Sequence, residues 1–174
     1  HMSEYIIFII LALNTIFGVG ILLRNSKKET NRLYALFVLT GNLWILSNFL
    51  ENEPGLVGIE ALEFILRVDF FSAIAAFYYW FRFVSVFADC QLGVSQMRAL
   101  RFGLFAWMLG VASTAFIDSI LVANVHFTDG VISFTNGPFS PIYAATLAFY
   151  LLAGITVLFV GRRRALLRGD TTLI

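Results

Sequence analysis

The run Tyr5-Ile6-Ile7-Phe8-Ile9-Ile10-Leu11-Ala12-Leu13-Asn14-Thr15-Ile16-Phe17-Gly18-Val19-Gly20-Ile21-Leu22-Leu23 contains no charged residue. It is as long as the ~20 mostly apolar residues that a helix needs to cross about 30 Å of hydrocarbon. It is longer than the core of a signal peptide, lacks a basic leader and offers no small-residue cleavage site, so it reads as a retained membrane span. The rest of the chain agrees. Of 174 residues, 59% are hydrophobic and only 13% charged, about half the ~25% charged residues usual in soluble domains. Mean hydropathy is +0.84. A chain of this length has room for about five spans with their loops and none for a soluble catalytic domain.

Five helices are expected, at 5–23, 31–50, 56–88, 98–123 and 140–164, separated by the breakers Asn25-Ser26, Glu53-Pro54-Gly55, Gly93, Asp129-Gly130 and Asn136-Gly137-Pro138. The fold class is therefore all-α, a polytopic helical membrane bundle. In the loop between the last two helices, Asp129-Gly130 lies between β-favouring residues, which predicts a small extracytoplasmic β-hairpin. His1 before Met2 reads as a cloning remnant, residues 3–168 as the bundle, and 169–174 as a cytoplasmic tail cut short.

Basic residues orient the bundle. Arg24, Lys27, Lys28, Arg32, Arg98, Arg101, Arg162, Arg163, Arg164 and Arg168, ten of the twelve Lys and Arg, fall in regions on one side. Glu4, Glu51, Glu53 and Asp129 fall on the other, with no basic loop residue. Because Lys and Arg are held on the cytoplasmic side, the N-terminus is expected outside and the C-terminus inside, in the inner (cytoplasmic) membrane of the cell.

Ionisable and polar groups within spans mark candidate sites. Trp44, Ser47, Asn48 and Glu51 recur at steps of three and four, on one face of the second helix. On the third helix Glu63 can pair with Arg67, which lies ~31 Å from the cytoplasmic end at Ala88. Arg82, ~9 Å deep, is expected to snorkel to the headgroups rather than pair inside. Asp118, on the outer part of the fourth helix, stands at the depth of Arg67 and is either its partner or a cap for a frayed helix end. Trp44, Ser47, Asn48, Glu51, Arg67 and Asp118 together would enclose an outer pocket for a small amphipathic or anionic ligand. The aromatic residues of the third helix read as packing.

Single Cys90 excludes a disulfide framework or a Cys-based zinc site. No phosphate-binding glycine loop, metal-spaced His/Cys cluster or nucleophile elbow occurs, so neither enzyme activity nor a cofactor is expected. The basic residues flank spans, where they suit anionic lipid rather than nucleic acid.

Asn31-Arg32-Leu33-Tyr34-Ala35-Leu36-Phe37-Val38-Leu39, then Leu43-Trp44 and Phe49-Leu50-Glu51, resemble the N-terminal seven-transmembrane sensor region of bacterial and archaeal membrane histidine kinases. Arg67 early in the third helix, Phe83 and Phe87 near its end, Asp129-Gly130-Val131, Gly137-Pro138 and a fifth span ending in arginines follow in the same order. The resemblance covers the first five helices of seven; helices six and seven and the kinase are absent. It implies an input module that reads a signal at or within the bilayer and passes a helix movement to a cytoplasmic kinase homodimer. Of the residues, it carries over only Asn31, Trp44 and Arg67 as pattern positions, with no ligand. A small transporter-like subunit and an assembly subunit of a membrane complex are the alternatives; transporters usually carry repeats and midplane breaks, which this sequence lacks.

Cysteines introduced singly at Ser26 and Thr135 are expected to react with an impermeant thiol reagent from opposite sides of the membrane; labelling of both from one side would overturn the orientation.

Overall fold

The computed structural model describes residues 2–53, 56–57, 59–88, 94–128 and 131–168. His1, Pro54-Gly55, Cys90, Gly93, Asp129-Gly130 and the tail 169–174 lie outside the described residues, as do the side chains of Glu4, Glu60, Arg164 and Arg168. Five helices, α1 (Met2–Arg24), α2 (Glu29–Asn52), α3 (Ile59–Phe87), α4 (Val94–Ser113) and α5 (Ser140–Arg168), and two strands, β1 (Val122–Thr128) and β2 (Val131–Asn136), make up the fold. Tyr5–Arg24, Glu29–Asn52, Arg98–Phe116 and Ser140–Arg163 are long and apolar enough to cross a membrane. Large apolar side chains such as Phe8, Ile16, Phe17 and Phe159 stand exposed on their outer faces, a surface compatible with a hydrocarbon surrounding.

The turn between α1 and α2 is closed by side chains. Asn25 Oδ1 accepts from the Lys27 N–H at 3.2 Å, and Asn31 Nδ2 donates to Ile21 O at 3.0 Å and Asn25 O at 3.1 Å. Carbonyls that the end of α1 leaves without helical partners are thereby satisfied. The two helices then run antiparallel, closest where a Cβ on Gly18 would meet Val38 Cγ1 at 3.0 Å.

α3 occupies the middle, packed against α2, α4 and α5. Its residues Ser72, Ala73, Ile74, Ala75 and Ala76 are all buried, and four of the five are small enough to let neighbouring backbones approach. Its large rings fill the gaps: Trp44 against Phe77 at 5.9 Å, Tyr78 against Phe105 at 5.9 Å and against Tyr150 at 5.6 Å. The aromatic residues of α3 thus pack between helices. α5 lies parallel to α3, with Tyr143 Oη donating to Phe70 O at 2.7 Å near one end and Gly161 against Ala88 near the other. Between them Gly154 receives the Trp80 ring so closely that any Cβ would overlap it. α3 is unbroken between Glu63 and Asp69, starts at Ile59 rather than 56, and is matched in length by α5, each having 29 residues.

α4 does not extend to Ala123. It ends at Ser113, followed by a 3₁₀ turn over Thr114–Phe116 and a reversal in which Ser119 has φ 60°. The reason lies further along the chain: Val122 is already committed to a strand, facing Asn136, so the chain has to leave the helix before it. The expected hairpin is present, antiparallel, with Ala123 facing Thr135 and His126 facing Ser133. The register shift between Ala123 and His126 falls at Asn124, whose φ of 49° suits an asparagine at a bulge. Phe134 packs edge-on to Phe70 at 5.8 Å, which seats the hairpin on α3.

Gly154→Ala is expected to lower the melting temperature in detergent, corresponding to about 1–3 kcal/mol of overpacking against Trp80. Gly20→Ala, where nothing lies within 4 Å of the added Cβ, is expected to leave it unchanged or raise it slightly. Equal melting of the two variants would refute the close α3–α5 contact.

Candidate functional site

Two arginines of α3 anchor opposite ends of the helix. At one end Arg67 Nη2 donates to Glu63 Oε1 and to Asp118 Oδ1, both at 2.5 Å, and Nη1 donates to Ala115 O at 3.2 Å. The helical i,i+4 pair with Glu63 and the pairing with Asp118 therefore coexist. Asp118 acts from the reversal after α4, not from a helix, and its side chain is 86% exposed while that of Arg67 is 14% exposed. Fifteen residues further along, ~22 Å by helical rise, Arg82 Nη2 donates to Glu29 Oε1 at 2.9 Å, and Arg101 Nη1 donates to the same oxygen at 3.3 Å. Arg82 is only 9% exposed. The expected snorkelling gives way to a pairing: α2 runs antiparallel to α3, which brings Glu29, the first residue of α2 and 39% exposed, beside Arg82.

The six residues expected to share a pocket occupy three places. Arg67 and Asp118 meet on the α4 side of α3. Ser47 is buried and donates to Leu43 O of its own helix at 2.8 Å, while Glu51 keeps Oε1 buried without a hydrogen bond, as Asp69 does with Oδ1. Trp44 and Asn48, with Ile7, Ile45 and Phe49, line a cavity of about 260 Å³ on the α1 side. Spacings of three and four place Trp44, Ser47, Asn48 and Glu51 on one broad face, but α1 and α3 flank α2 and divide that face between them.

A larger cavity, about 540 Å³, adjoins Trp44 halfway along the helices. Tyr34, Phe37, Phe77 and Trp80 give it aromatic walls, Asn14 and Asn42 its polar groups, and Leu151 of α5 its far side. Asn14 Nδ2 donates to Asn42 Oδ1 at 3.2 Å; Asn42 Nδ2 donates to Thr15 Oγ1 at 2.9 Å and to Leu11 O at 3.2 Å. Sequence reasoning overlooked both asparagines by searching for charge. The available signal is an amide in the middle of each of two consecutive apolar helices, at the depth where a polar group most needs a partner.

Among the described residues no group of three or more His, Cys, Asp or Glu could hold a metal ion. Comparison of the chain with known protein families, curated proteins and solved structures finds no match.

Glu29→Gln takes the carboxylate from Arg82 and Arg101 and, since Glu29 is itself 39% exposed, is expected to cost about 1–2 kcal/mol of stability, between an exposed pair and a fully buried one. Asp118→Asn, at an exposed side chain, is expected to cost under about 1 kcal/mol, and less in high salt. Thermal unfolding of both variants in one detergent checks the order; a larger loss for Asp118→Asn would contradict it.

Proposed function

We propose that this chain is a membrane-embedded signal-sensing input domain, which couples an extracytoplasmic or membrane-borne ligand to a cytoplasmic kinase-type output in a homodimer. In this reading all five helices cross the inner membrane, with the N-terminus outside and the arginine-rich end of α5 inside. The observation that carries it is the double anchoring of α3. Its outer end is held through Arg67 to the segment after α4, and its inner end through Arg82 to α2, with Arg101 of α4 on the same carboxylate. Small translations between packed helices are the usual movement of such switches. A shift of α3 would carry α5 with it, because Gly154 and Gly161 leave no space between the two helices. The basic residues Arg162 and Arg163 close to the end of α5 would then move at the cytoplasmic headgroups.

A transporter reading is less well supported. Transporters bind substrate at discontinuous helices near the midplane, whereas each of the five helices here is continuous over its described length.

Arg67→Ala releases the outer anchor. With Cys90 replaced by Ser and spin labels at Ser26 and Arg163, the variant is expected to remain folded and inserted while the distance between labels changes by about 1–2 Å. An unchanged distance, or unfolding as the first effect, would show Arg67 to be a packing residue and overturn the coupling.

A further inference from the structure

We infer that the cavity between α1, α2, α3 and α5 binds an uncharged, membrane-soluble molecule with a flat apolar body and one hydroxyl group, taken up sideways from the bilayer. Its volume of about 540 Å³ lies within the ~300–1,000 Å³ of small-molecule sites, which are mostly apolar with a few placed polar groups. Tyr34, Phe37, Trp44, Phe77 and Trp80 supply ring faces and edges against which a flat body packs at low entropic cost. Among the described residues no carboxylate, ammonium or guanidinium lines the cavity, and a charged ligand at this depth would be desolvated without a counter-ion.

The hydroxyl is read from the asparagines. Asn42 is well supplied: both hydrogens of its Nδ2 are donated, to Thr15 and Leu11, and its Oδ1 accepts from Asn14. Asn14 is not, since its carbonyl oxygen and second N–H have no hydrogen-bond partner among the described residues. One acceptor and one donor of the Asn14 amide are therefore left, on a side chain held in place by Asn42. A hydroxyl, which donates once and accepts, is the smallest neutral group that answers both. Asn14 lies nine residues from Tyr5 and ten from Arg24, about 14 Å from either end of the span, so an opening at its level meets hydrocarbon and not water. Packing of α1 on α2 accounts for the three bonds of Asn42 but not for the unused acceptor and donor of Asn14. What binding does to the other helices rests on the input-domain reading; binding itself does not.

The probe is 4-bromo-4′-hydroxybiphenyl, whose bromine quenches tryptophan on contact, with 4-bromobiphenyl as its counterpart lacking the hydroxyl. In phosphatidylcholine vesicles carrying Trp107→Phe protein, only Trp44 and Trp80 remain, both on the cavity wall. The hydroxylated probe is expected to quench them saturably, and the other to need about tenfold more, the equivalent of one hydrogen bond. Asn14→Leu is expected to weaken the hydroxylated probe by a similar factor. Gly41→Leu serves as the variant that keeps the fold: Gly41 lines the cavity, and nothing lies within 4 Å of an added Cβ, so its side chain fills the space without displacing protein. It is expected to remove the saturable component with the melting temperature retained. Quenching that rises linearly and equally in parent and Gly41→Leu overturns the site; saturation equal for the two probes overturns the assigned ligand chemistry. Saturable quenching without any change in the distance between residues 26 and 163 supports the site and argues only against the coupling.

Discussion

Five consecutive residues of α3, Ser72 to Ala76, set the distances on which the rest of the packing depends. All are buried, and only Ile74 among them is large. The small side chains let α2 and α5 approach α3, which buries more of its surface than lipid contact would, and van der Waals packing of this kind is what holds membrane helices together where no water is present to drive association. The glycines of α5 extend the same logic: Gly154 and Gly161 meet Trp80 and Ala88, so α3 and α5 are in register at two levels. The aromatic-walled cavity lies beside this packed centre, where Ala76, Phe77 and Trp80 of α3 face α2 and Asn14 of α1.

Charge is arranged with opposite stoichiometry at the two ends. One guanidinium serves two carboxylates at Arg67, and one carboxylate serves two guanidiniums at Glu29. Both arginines of α3 are largely covered, at 14% and 11% side-chain exposure, and the clusters differ in their carboxylates: Glu63 and Asp118 are 53% and 86% exposed and the more readily screened, Glu29 39%. Local net charge follows the same sense as the loops, acidic at one end and basic at the other.

Much of this is legible in the sequence, for identifiable reasons. Tyr5–Leu23 and the apolar runs of α2, α4 and α5 are long enough to be read as spans from length and hydropathy, whereas α3, interrupted by Glu63, Arg67, Asp69 and Arg82, does not stand out as a span by hydropathy. The hairpin follows from β-favouring residues around Asp129-Gly130. The end of α4 is not legible, because 114–121 is as apolar as a helix and what stops it is the commitment of Val122 to a partner 14 residues away. Arg82 is misread for a similar reason: its depth follows from its own helix, but its carboxylate comes from the start of α2. The candidate pocket fails as a single enclosure because spacing assigns residues to a helix face without saying how many neighbours share that face. Asn14 and Asn42 are visible as amides in apolar runs, but their juxtaposition requires the register of α1 on α2.

The turn closed by Asn31 bears on how the chain reaches its membrane. α1 and α2 carry their own junction, in which the carbonyls at the end of α1 are satisfied by a side chain of α2, and their own internal contacts through Asn14, Asn42 and Gly18. Nothing downstream of residue 52 is needed for any of these bonds. The first two helices therefore form a self-sufficient hairpin that can be completed while the ribosome is still making α3, leaving the later helices to assemble against a preformed wall.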